Sequence, residues 1–106
     1  MKMSMTINEQ NMAAAMLNQS LLGVISPNFR MVAISFSGDV WRICFWLENE
    51  DEADREEIED SVGDFSGLIL DMENPASKVE SIIEIFGGSL PMLDPSEWRV
   101  VFLRRE

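Results

Sequence analysis

The chain contains no histidine, which removes the commonest general base and the commonest metal ligand together. No Ser-His-Asp or Cys-His nucleophile can be assembled from these residues. Cysteine is reduced to Cys44, so an internal disulfide is impossible and no thiol cluster exists to hold zinc. A lone thiol suits a reducing, cytoplasmic setting. Neither the GxxxxGK[ST] nor the GxGxxG phosphate-cradling pattern occurs. Tyrosine is absent, and with other polar groups scarce little is left to position a sugar between paired carboxylates. No run approaches the roughly 20 apolar residues that a membrane span needs. Near the N-terminus, Asn8, Glu9, Gln10, Asn11, Asn18, Gln19 and Ser20 interrupt the apolar residues, so the core of a signal peptide is missing. Basic residues are also few, 8 against 19 acidic. That balance disfavours direct binding of nucleic acid and favours a positively charged protein partner, approached by long-range steering that salt screens.

What is present is enough apolar residue for one core. At 106 residues and 46% hydrophobic composition, the chain predicts a single domain spanning 1–106, with residues 1–9 loosely ordered. A helix follows, with Met12, Met16, Leu17, Leu21 and Val24 along one face, Ala13 to Ala15 as strong helix formers and Gly23 as a stop signal. From Phe29 the period shifts to two. Residues 29–36 and 40–47 read as an antiparallel pair of strands joined by a turn at "SGD", residues 37–39. In the second strand Trp41, Ile43, Phe45 and Leu47 form the core-facing set, and Val40, Arg42, Cys44 and Trp46 the other.

Residues 48–64 read "ENEDEADREEIEDSVGD": ten acidic residues against Arg55 alone, so nine of the chain's eleven net negative charges fall in one segment. Asp51 predicts a helix cap, with Asp54 as its reciprocal partner. Ile58, Val62, Phe65 and Ile69 mark the buried stripe. Glu52, Glu56, Glu59 and Asp60 then fall on the opposite side, flanked by Glu57 and Asp64. A charge run is usually a solvated helix face. Two details favour a partner instead. Glu52/Glu56, Glu56/Asp60 and Asp60/Asp64 are like-charged pairs that each cost about 0.2–0.5 kcal/mol, only partly offset by Asp51/Arg55 and Arg55/Glu59. Gly63 adds about 1 kcal/mol of helix penalty.

Beyond a turn cluster, "DMENPAS", residues 78–86 are ambiguous. Val79, Ile83 and Phe86 fit a helix, whereas Val79, Ile83 and Ile85 set against Lys78, Glu80 and Glu84 fit a strand. Short length and bracketing turn residues favour the strand. A loop with two glycines and two prolines leads to a last strand at 98–105. The resulting fold class is α+β in the order αββαββ, an antiparallel sheet of about four strands with two helices packed on one face.

The acidic segment lacks a glycine at the sixth position of a calcium loop, so no metal site is expected, and neither a catalytic nor a cofactor-binding residue. Cys44 reads as a structural, half-buried thiol. Trp46 has two readings, an exposed aromatic anchor for a partner or a cover for the second sheet face.

With these segments placed, the chain resembles small immunity proteins of bacterial contact-dependent growth inhibition systems, which are polymorphic toxin systems. The resemblance rests on "LLGVISPNFRMVAISFSGDVWRICFWL" at 21–47, "DREEIEDSVGDF" at 54–65, the strand at 78–86 and "WRVVFLRRE" at 98–106. It implies a non-enzymatic protein that binds the toxin domain of its own lineage and neutralises it. Such toxins are frequently nucleases with basic active sites. An acidic inhibitor suits a basic toxin through complementary charge. The candidate contact residues are therefore Trp46, Glu48, Glu50, Glu52, Glu56, Glu57, Glu59, Asp60 and Asp64, on a protein that is a monomer or weak dimer when free. Two rival readings are an acidic adaptor or subunit of a housekeeping complex, possibly homodimeric, and a small enzyme using carboxylates.

Overall fold

The computed structural model describes residues 7–37, 39–70 and 78–106. Six elements follow in the expected order: α1 (Ile7–Ser20), β1 (Phe29–Ser37), β2 (Val40–Leu47), α2 (Glu52–Ile69), β3 (Lys78–Ile85) and β4 (Trp98–Leu103). Residues 7–9, expected to be loosely ordered, form the first turn of α1. Residues 1–6, Gly38 of the hairpin turn and the cluster at 71–77 lie outside the described residues.

The four strands form one sheet in the order β3-β2-β1-β4. β1 pairs antiparallel with both β2 and β4. β3, by contrast, runs parallel to β2, with Val40 opposite Lys78 and Leu47 opposite Ile85. The sheet is therefore mixed, where a fully antiparallel one was expected. The reason is the connection: the 18 residues of α2 carry the chain back about 27 Å along the sheet. β3 then starts at the end where β2 started, as in other strand-helix-strand crossovers.

Both helices lie on one face. Ala13, Leu17 and Leu21 from the first helical segment and Ile58, Phe65 and Ile69 from α2 close over Phe29, Val32, Ile34, Trp41, Ile43, Phe45 and Leu47. The core-facing set expected for β2 is thus fully buried. In α1 the contact line differs from the expected one, because Met12 is 52% exposed. Ala13 and Ala14 are the buried residues of that turn. A small side chain lets the helix axis approach the sheet closely, and centring the contact on Ala13 and Leu17 turns Met12 about 100° away. Gly23 ends the helical run with φ +79°, the left-handed conformation that glycine adopts without strain.

The second sheet face is also covered. β3 and β4 occupy opposite edges, so residues 86–97 must cross beneath the sheet to join them. Leu90 and Leu93 on this crossing pack with Trp98 and Ile82 against Met31, Ala33, Cys44 and Trp46.

Candidate functional site

α2 begins as its sequence dictates. Asp51 is the cap, its Oδ1 accepting the Asp54 N–H at 2.9 Å. Asp54 does not reciprocate. It is buried, and its Oδ2 accepts from Ser26 Oγ at 3.1 Å and from Asn28 Nδ2 at 3.0 Å. Asn28 also donates to the Asn49 carbonyl at 2.7 Å, and its Oδ1 accepts the Asn49 N–H at 2.8 Å. These bonds fasten the start of α2 to the loop before β1, so the orientation of the acidic helix is set at its first turn.

With Ile58, Ser61, Phe65 and Ile69 turned into the protein, Glu52, Glu56, Glu57, Glu59, Asp60 and Asp64 are all exposed. None of the six forms an ion pair among the described residues. Arg55, the sole base of the segment, hydrogen-bonds Glu50 in the preceding loop, while the Glu59 charge acts on it only through space. Its Nε and Nη2 donate to the two carboxylate oxygens of Glu50, the second at 2.8 Å. The hydrogen bond from Arg55 holds the Glu50 carboxyl below its ordinary range. Glu48 is likewise engaged, accepting from Arg104 Nη2 at 2.8 Å. Of the nine anticipated contact residues, six therefore share one helical face without an ion pair among the described residues, whereas two are held in ion pairs beside it.

The ninth, Trp46, is 7% exposed. It meets Trp98 edge to face, with ring centroids 6.3 Å apart. Its role is to cover the second sheet face, and the exposed-anchor reading falls away because the crossing segment lies over it. Cys44 is buried on the same face. Desolvation, assisted by the Glu84 charge, pushes its thiol up to about 12, which leaves almost no thiolate at neutral pH.

Beside the acidic face, Gln19, Ser20, Gly63, Asp64, Gly67 and Leu68 line a groove of about 440 Å³ between the two helices. No group of three or more Cys, Asp or Glu side chains among the described residues is arranged to hold a metal ion, despite the density of carboxylates. No described helix is long and apolar enough to cross a membrane.

Sequence reasoning missed one charged cluster. Arg30, buried at the bulge between Phe29 and Met31, donates Nε and Nη2 to both carboxylate oxygens of Glu106 at 2.8 and 2.7 Å. Its Nη1 donates to the carbonyls of Phe86 and Gly88. Arg104 bridges Glu106 to Glu48, at 3.1 and 2.8 Å. The only signal in the sequence is one arginine early in a strand that carries no other charge.

No curated protein matches the chain. A family model described as MafI2 immunity protein matches residues 10–106, so the chain belongs to the MafI2 immunity proteins, small immunity proteins of a polymorphic toxin system.

Proposed function

We propose that the protein neutralises its cognate toxin by direct binding, without catalysis, through the carboxylate face of α2. An immunity protein has a toxin as its partner, and the observation that carries the reading further is the six exposed carboxylates that form no ion pair among the described residues, Glu59 alone lying within the field of Arg55. Leaving like charges side by side on a helix is mildly destabilising, and a basic partner relieves it. The toxin is then a basic protein, in this reading a nuclease whose phosphate-seeking surface the helix occludes. Complementary charge accelerates encounter and fixes the docking register. The setting proposed is cytoplasmic, with the toxin delivered between touching cells as in contact-dependent growth inhibition, and the free protein a monomer or weak dimer.

The test is co-purification of the protein with a candidate cognate toxin domain, followed by affinity at two salt concentrations. One-to-one binding that weakens with salt, and weakens again in the Glu56→Lys, Glu57→Lys, Asp60→Lys variant, is the expected result. Binding indifferent to both changes moves the interface to the sheet edges or loops and overturns the acidic-face reading.

A further inference from the structure

β3 forms one edge of the sheet, and its outer side pairs with no strand among the described residues. The Lys78 N–H donates to the Asp39 carbonyl at 3.2 Å and the Phe86 N–H to the Leu47 carbonyl at 2.9 Å, so the even-numbered residues turn their backbone groups to β2. By the alternation of a parallel ladder, the N–H and C=O groups of Val79, Ser81, Ile83 and Ile85 lie along the open side. The pairing with β2 runs through all eight residues of β3 without a register shift. The opposite edge is less regular, because the β1–β4 pairing shifts between Val32 and Ala33, and such an irregularity hinders the addition of a further strand.

The two faces of the β3 edge differ. Val79, Ser81, Ile83 and Ile85 are in register with Trp41, Ile43, Phe45 and Leu47 on the helix-covered face, and Ile85 is 38% exposed. Glu80 and Glu84 are in register with Arg42 and Trp46 on the other face. Glu80 lies 3.5 Å from Arg42 and 3.8 Å from Lys78. Glu84 is exposed and forms no ion pair among the described residues. A strand laid along this edge thus meets mainly apolar side chains on one face and carboxylates on the other.

Charge decides which chain suits the edge. α2 packs against β3 and α1 against β4, so the carboxylate helix stands over the same half of the sheet as this edge. A second copy joined here brings two such helices together on chains that each carry a net charge of −11. An antiparallel pairing of two copies centred on Ile82 also sets Glu80 of each opposite Glu84 of the other, a destabilising arrangement. A basic chain meets the reverse of both effects.

We propose that the toxin contributes an extended segment of alternating apolar and basic residues, which pairs with the open side of β3 as a fifth strand of the sheet. The inference rests on a basic toxin as the partner, and it is independent of which α2 carboxylates that toxin touches.

The test is amide hydrogen exchange of the full chain, alone and bound to a candidate cognate toxin domain. The Val79, Ser81, Ile83 and Ile85 amides are expected to exchange about tenfold or more slowly in the complex, as newly bonded groups do. Ser81→Pro removes a donor from the open side alone, a change that an edge strand tolerates, and is expected to weaken toxin binding about tenfold or more. Glu84→Lys leaves the backbone intact and is expected to weaken binding about threefold or more at low salt, and less at high salt. Unchanged exchange at the four amides in the complex overturns the proposal without recourse to any variant. Slowed exchange with Ser81→Pro binding as tightly as wild type shows an edge that is covered and not paired, and Glu84→Lys binding as tightly as wild type at low salt removes the basic segment; either overturns it. Slowing in the free protein as its concentration rises assigns the edge to a second copy and overturns it too. The acidic-face reading fails separately: slowed β3 amides with affinity indifferent to the Glu56→Lys, Glu57→Lys, Asp60→Lys variant retain the added strand and discard the helix, and unchanged amides with affinity sensitive to that variant do the converse.

Discussion

Arg30 and Glu106, 76 positions apart, form a two-point ion pair at 2.8 and 2.7 Å that joins the bulge of β1 to the residues after β4. The same guanidinium holds the Phe86 and Gly88 carbonyls, so one side chain ties together β1, the segment following β3 and the segment following β4.

This pair predicts a particular acid response. The Arg30 hydrogen bonds, reinforced by the charges of Arg30 and Arg104, hold the Glu106 carboxyl down to about 2, from 4.5. A carboxyl depressed in the folded state contributes stability that is complete above its unfolded value and disappears as pH falls towards the folded one. Stability is therefore expected to decline between about pH 4.5 and pH 2. Glu106→Gln should flatten that part of the curve, as measured by urea unfolding across the range. Arg30→Met should destabilise more than Glu106→Gln at pH 7, because it also strips two backbone carbonyls of their donor.

Gly63 and Gly67 lie four residues apart inside α2, both exposed, and a Cβ added at either meets nothing within 4 Å. Neither has the positive φ that would require glycine. Gly63→Ala and Gly67→Ala are each expected to stabilise the protein by about 0.5–1 kcal/mol, through reduced freedom of the unfolded chain and better helix propensity. Thermal unfolding measures this as a rise of several degrees per substitution.

The parts of this fold that were legible in the sequence are those set by local period. Trp41, Ile43, Phe45 and Leu47 alternate along β2 and are all buried on the helix-covered face, and Ile58, Phe65 and Ile69 recur at helical spacing and are buried in α2. The direction of β3 was recoverable in principle, since a strand, a long helix and a second strand imply a parallel return. What was not legible depends on contacts distant in sequence. Trp46 is covered only because residues 86–97 cross under the sheet, and Met12 is exposed only because two alanines bring α1 close to it. Within the candidate site, helical spacing placed the six carboxylates of α2 on the exposed side. It could not show that Glu48 is claimed by Arg104, 56 residues later.

Cys44 should be inert in the folded protein. Its thiol is buried among Met31, Ala33 and Trp46 and pushed up to about 12, so both access and thiolate are lacking. Modification by a maleimide at pH 7.5 is expected to proceed only through opening of the fold, and thus to accelerate with urea in step with unfolding. Rapid modification without denaturant would show that the crossing segment lifts away from the sheet on its own.

The division of carboxylates into free and engaged groups makes the last prediction the sharpest one about binding. Glu56, Glu57 and Asp60 carry charge with no ion pair among the described residues, whereas Glu48 and Glu50 are held by Arg104 and Arg55. Neutralising a free carboxylate removes one unit from the field that draws in a basic toxin. Neutralising Glu48 or Glu50 removes the same unit but also releases a guanidinium against the incoming charge, at the cost of a bond within the protein. If α2 is the docking face, Glu56→Gln, Glu57→Gln and Asp60→Gln together should slow association about tenfold or more at low ionic strength, leave dissociation nearly unchanged and flatten the salt dependence, the signature of charges at an interface rim. Glu48→Gln and Glu50→Gln together should also slow association, but with a measurable loss of stability that the first set lacks. Stopped-flow association with the cognate toxin at two salt concentrations, run beside urea unfolding of each variant, separates the two sets. An association rate unmoved by the first set places the toxin elsewhere on the protein.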